Sequence, residues 1–278
     1  MARVGLVGRV AVFGIAVLAL ALMPAHAQTQ PTVAWAIFID DLHADFRNTG
    51  RLRQLLRGVG DELIQAGDTY AVTTSGPSGV TISFNSDPAV FVAAIKKVSG
   101  SALRPADALG SPNQGDVSSE VHYRAEVAIA TARRSMADLV ALRRDTAPTK
   151  AFISISSGYH VDLSERTVAP STSRPPARPP RDRRLGQTSS LAKLRSEWAT
   201  LAATATQGGV KIFAIDPRLV DTDPPDALIE PQAWLRYLTA TQQSLALLCQ
   251  QSGGFALQDR TELASGLTRI NRLLRTAF

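Results

Sequence analysis

Seven apolar residues in succession, Val33-Ala34-Trp35-Ala36-Ile37-Phe38-Ile39, end abruptly on two acids, Asp40 and Asp41. A strand with one wet face alternates polar and apolar side chains. An unbroken run has no polar side to turn to water, so it belongs inside a sheet covered on both faces. The following residues supply the cover. Leu52, Leu55, Leu56, Val59 and Leu63 recur at helical spacing, with Asn48 or Thr49 placed to cap the helix and Gly67 to stop it. Thr69 to Thr74 reads as a second strand. The turn Gly76-Pro77-Ser78-Gly79 then leads to a third, Val80 to Phe84, close enough to form a hairpin. Asp87-Pro88 opens a helix that runs to about Val98.

The alternation continues to the end of the chain. Residues 99–118 are rich in Gly, Ser, Pro and Asp and read as a loop, followed by a helix from about Glu120 to Arg144 and a strand from Lys150 to Ser156. Helices are expected at about 189–207, 232–251 and 261–275, and strands at Val210 to Ile215 and Phe255 to Gln258. The pattern predicts an α/β fold: a Rossmann-like, doubly wound, mostly parallel six-stranded sheet with one antiparallel edge strand and helices on both faces. Such sheets bind ligands outside the carboxyl ends of their strands, near the point where strand order reverses. Those ends are Asp40 to Asp45, Thr74-Ser75, Ser156 to Asp162, and Asp216.

Two segments stand apart from this pattern. Residues 1–27 carry Arg3 and Arg9, then an apolar run from Val10 to Met23, then Pro24 and Ala25-His26-Ala27. This is the grammar of a secretory signal with cleavage after Ala27, and it predicts an exported protein, periplasmic or extracellular. No later stretch is apolar for long enough to span a bilayer, so no stable membrane insertion is expected after cleavage. Residues 164–187 mix arginine with Pro170, Pro175, Pro176, Pro179 and Pro180. Such a composition cannot bury a core, so a disordered insert is expected there, within a single domain over 28–278. These two segments also explain the net charge of +6. Residues 1–27 hold two arginines and no acid, and residues 166–184 hold six arginines and one aspartate. The rest is close to neutral, which argues against a nucleic-acid partner. The single cysteine, Cys249, excludes an intrachain disulfide and any site built on several thiolates. Its spacing with Leu245 and Leu248 reads as core.

In order along the chain, several phrases resemble the von Willebrand factor type A domain, and more narrowly the bacterial exported VWFA-related family. They are Ile37-Phe38-Ile39-Asp40-Asp41-Leu42-His43, Ala66-Gly67-Asp68-Thr69-Tyr70-Ala71-Val72 and Phe84-Asn85-Ser86-Asp87. Phe152-Ile153-Ser154-Ile155-Ser156-Ser157-Gly158 and Leu247-Leu248-Cys249-Gln250-Gln251-Ser252-Gly253-Gly254 complete the set. The resemblance implies a metal-ion-dependent adhesion site at the carboxyl edge of the sheet and a non-enzymatic role in protein–protein recognition. Hydroxyls and one or two carboxylates would there hold Mg²⁺ or another divalent cation weakly, with a position left for a partner.

Measured against that motif the chain is degenerate. Asp40 keeps the first acid, Leu42 and Ala44 stand where two serines are expected, and Ser157 stands where the second acid is expected. The candidate ion ligands are Asp40, Asp41 and Ser157. The candidate partner-binding residues are His43, Asp45, Ser119 and His160, and Ser118 or Ser119 stands where the motif's threonine is expected. Two other readings remain open. One is an ion-independent scaffold that binds through the basic insert. The other is a metal-dependent hydrolase using His43, His122 and His160 with neighbouring acids. No G-x-S-x-G elbow, phosphate-binding loop or G-x-G-x-x-G is present, which weighs against an enzyme.

Overall fold

The computed structural model describes residues 32–109, 119–143, 149–160, 183–219, 224–225, 227 and 229–276. The leader, Asp162, Ser118 and the insert up to residue 182 lie outside the described residues.

Strand β1 (Val33–Ile39) is the unbroken apolar run, and all seven of its residues are buried. It is sandwiched as the sequence requires. Val33, Trp35, Ile37 and Ile39 pack on one face with Leu52, Leu56, Val59 and Leu63 of α1 (Thr49–Leu63) and Ile270 and Leu274 of α7 (Leu263–Arg275). Ala34, Ala36 and Phe38 pack on the other face with α4 (Ser119–Ala141), where they meet Ala125, Ala128, Ile129 and Ala132. Small residues on both sides of that contact let helix and strand approach closely.

The remaining strands are β2 (Thr69–Thr74), β3 (Thr81–Asn85), β4 (Thr149–Ile155), β5 (Lys211–Ile215) and β6 (Ala256–Leu257). Their order is β3-β2-β1-β4-β5-β6. Only β2–β3 is antiparallel, and a register irregularity between Tyr70 and Val72 interrupts it. The expected six-stranded sheet with one antiparallel edge strand is the sheet observed. The remaining helices are α2 (Pro88–Ile95), α3 (Pro105–Leu109), α5 (Arg183–Gly208) and α6 (Pro231–Gln250).

Three local features differ from the sequence reading. Residues 99–118 were expected to form a loop throughout, but they contain the short helix α3. Helix α5 begins at Arg183, inside the segment expected to be disordered. Asn48 makes no side-chain cap on α1. Instead Asp45 caps a single 3-10 turn, Phe46–Asn48, ahead of it, and the Thr49 hydroxyl accepts from the Gly100 N–H at 3.2 Å.

Candidate functional site

At the carboxyl edge, the ladders of β1, β2, β4 and β5 run one residue past the strand ends. The Asp40 N–H donates to Ile155 O, Ser75 N–H to Ile39 O, Ser156 N–H to Ile215 O and Asp216 N–H to Leu257 O. The register therefore sets Ser75, Asp40, Ser156 and Asp216 side by side in one row. Asp40 sits in the middle, where the order reverses between β1 and β4, which is the position such sheets use for binding.

Asp40 is fully buried, and its carboxylate is occupied from both sides. Ser75 Oγ donates to it at 2.8 Å, Ser156 Oγ at 2.7 Å, and His43 Nδ1 lies 2.9 Å away. Burial alone would raise its pKa. The His43 charge and the three hydrogen bonds outweigh burial and hold it below the usual carboxylate range. Tyr159 closes the floor, its ring edge-on to His43 at 5.0 Å. Burial, with the Asp40 charge beside it, pushes the Tyr159 phenol well up.

Asp41 points elsewhere. Its carboxylate accepts from Gly76 N–H at 2.6 Å, Ser78 N–H at 2.9 Å and Ser75 Oγ at 3.0 Å, and so pins the β2–β3 turn. Ser157 is buried on the far side of Asp40, where its carbonyl accepts from Arg218 Nη2 at 2.8 Å. Asp216, the last of the row, is gripped by Arg218 through Nε and Nη2 at 2.7–3.1 Å.

This donor set, as arranged, does not fit a hydrated dication. Such an ion takes carboxylates and hydroxyls as free oxygen donors and keeps several waters. Here Asp40 already accepts from two hydroxyls and is flanked by an imidazole, Asp41 binds backbone, and Asp216 binds a guanidinium. Leu42 and Ala44 add no oxygen. Among the described residues, no group of three or more His, Cys, Asp or Glu is placed to hold a metal ion. His43 and His160 approach the same small crevice beside Arg124, but His122 does not join them. A catalytic triad is also not assembled. The serines beside Asp40 direct their hydroxyls to the carboxylate, and among the described residues no hydroxyl or thiol is hydrogen-bonded to His43 Nε2. Cys249 is buried on the core-facing side of α6, and burial pushes its thiol up to about 12.

Above the row lies a cavity of about 340 Å³. His43, Asp45 and Ser157 line it, as do Arg218, Trp234 and Tyr237, which the sequence reading did not single out. Asp45 sits at its wall, held by Arg47 through both carboxylate oxygens; the Arg47 hydrogen bond, with the arginine's charge, keeps its pKa low. His160 rests its ring against Tyr237 at 5.0 Å, and burial pushes its pKa down. Ser119 is exposed at the start of α4 and lines neither hollow. Arg218 and the aromatic pair were open to detection. Asp216-Pro217-Arg218 follows a buried strand, and Trp234 and Tyr237 are three residues apart on a helix.

No family model and no curated protein matches this chain. Among solved structures, it is similar to the vWF domain of the type V pili tip protein Mfa5 from Porphyromonas gingivalis. The identity is 14% and the TM-score 0.45, over 89% of this chain and 96% of that one. It is also similar to the pilus adhesin SpaC from Lactobacillus rhamnosus GG in its open conformation, at 11% identity and a TM-score of 0.46. That match covers 90% of this chain but only 31% of the adhesin. The strand order and the lone antiparallel edge define the class directly: an α/β, Rossmann-like, mostly parallel sheet covered by helices on both faces.

Proposed function

We propose that this chain is an exported, non-enzymatic recognition domain that binds a protein partner through the loops at the carboxyl edge of its sheet. One observation carries the reading. At the switch point, where such a fold binds, Asp40 is satisfied by the protein's own Ser75, Ser156 and His43. The groups left to face outward belong to the surrounding loops and to α6. The adhesion-type ion site is thus degenerate, and recognition proceeds without a cation. Among the described residues no helix is long and apolar enough to cross a membrane.

The test is affinity capture from the exported fraction of the producing cell by immobilised 28–278, in Mg²⁺ and in EDTA. Leu103→Arg alters the cavity wall, and Lys211→Glu alters the opposite edge of the sheet. A partner retained in EDTA, lost with Leu103→Arg and kept with Lys211→Glu is the expected result. A partner that survives Leu103→Arg, or that leaves with EDTA, overturns the reading.

A further inference from the structure

Two residues in the wall of the cavity above the row carry hydrogen-bond donors with no partner among the described residues. Arg218 is held almost rigidly. Nε and Nη2 grip Asp216, and Nη2 also donates to the Ser157 carbonyl and to Thr241 Oγ1 at 2.9 Å. Its Nη1 is sealed from bulk water and has no acceptor among the described residues. The same is true of Trp234 Nε1. Both residues line the one cavity, and both flank Tyr237. The guanidinium carbon lies 5.9 Å from the Tyr237 ring centre, and the Trp234 ring stacks on it at 5.3 Å and 21°.

Native proteins pair buried donors, and orphans in a cavity wall mark a missing acceptor. The volume, about 340 Å³, is that of a small-molecule site. The stacked Trp234 and Tyr237 rings, with Pro105, Pro224 and Pro225, give it flat apolar walls. Of the acids nearby, Asp45 is paired with Arg47 and Asp216 with Arg218, and Asp40 is hydrogen-bonded to His43.

We propose that this cavity binds a carboxylate carried on a flat apolar body. Arg218 and Trp234 donate to the carboxylate, and the rings and prolines hold the body. The ligand chemistry is that of an aromatic carboxylic acid, present either as a free molecule or as the C-terminal aromatic residue of a peptide. As a site for a free acid the cavity stands apart from the recognition role above; as a site for a peptide C-terminus it rests on that role and names the part of the partner that is held.

The experiment is calorimetric titration of 28–278 with 3-phenylpropionate and with neutral 3-phenylpropanamide. N-acetyl-glycyl-phenylalanine and its C-terminal amide are run in parallel. The carboxylates should bind about tenfold tighter than the amides or better. Arg218→Met should abolish that preference. Because Arg218 also holds Asp216, two further variants guard against misfolding. Trp234→Phe keeps the ring, removes one donor and should weaken the carboxylate alone. Ala102→Trp fills the cavity and should abolish binding of every probe. Tighter binding of the free acid identifies a small-molecule ligand, and tighter binding of the peptide identifies a C-terminus. Equal binding of acid and amide, absence of binding by all four probes, or binding unchanged in Ala102→Trp overturns the proposal.

Discussion

Asp40 and Asp68 are both buried aspartates, and their partners give them different work. Asp40 is compensated by His43 and two hydroxyls, and its pKa is held low although burial alone would raise it. A carboxyl whose folded pKa is depressed stabilises the protein above its unfolded value. That contribution is lost as pH falls through the folded value. Asp40→Asn keeps the shape but removes the charge, and should cost about 1–3 kcal/mol at neutral pH. In urea titrations repeated from pH 7 downward, the gap between wild type and variant should close in acid, below the ordinary carboxylate range. A gap that stays constant with pH would show that the charge contributes nothing. Asp40 could be found in the sequence because it ends an apolar run. The role of its neighbour Asp41 could not, because it is set by Gly76 and Ser78, more than thirty residues away in the β2–β3 turn. Nor could the sequence show that Ser75 and Ser156 turn their hydroxyls to Asp40, since only the β2–β1–β4 register brings them there.

Helices and strands were largely legible because the apolar periods were strong. Leu52, Leu55, Leu56, Val59 and Leu63 bury as their spacing requires. What escaped was short or compositionally masked. Helix α3 has five residues, too few for a period to declare itself. The first turns of α5 follow the prolines so closely that the arginine-rich composition hid them. β1 meets α4 through alanines, Ala34 and Ala36 against Ala125, Ala128 and Ala132. Added volume has nowhere to go there. Ala36→Leu should destabilise by about 1–3 kcal/mol, read as a lower urea midpoint at unchanged slope. A neutral result would mean that α4 can slide away from the sheet. Close packing also governs the exit from β4. Gly158 has φ +77°, and a Cβ there would lie 2.1 Å from the Thr241 carbonyl oxygen of α6. Glycine thus lets the chain turn past α6 beneath the cavity.

At the level of the whole molecule, the alternation of strands and helices was enough to anticipate the sheet and its antiparallel edge. It could not anticipate what fastens the opposite end. There Asp68 accepts from Val33 N–H at 2.8 Å, Trp35 Nε1 at 3.0 Å and Gln65 N–H at 2.9 Å, and is gripped by Arg275 of the last helix. One carboxylate joins the first strand, the entry to the second and the end of the chain's final helix. Asp68→Ala would strand a buried guanidinium and should cost about 3–5 kcal/mol in a single cooperative transition. Unfolding in two steps, with α7 leaving first, would show that the clamp does not integrate the fold. The Asp68 clamp also decides how the domain can be held. Its first strand and last helix are anchored at the edge of the sheet remote from the Asp40 row, so a tether at either end draws on the same knot. A domain fixed to a surface in that way presents its cavity outward, whichever end carries the attachment.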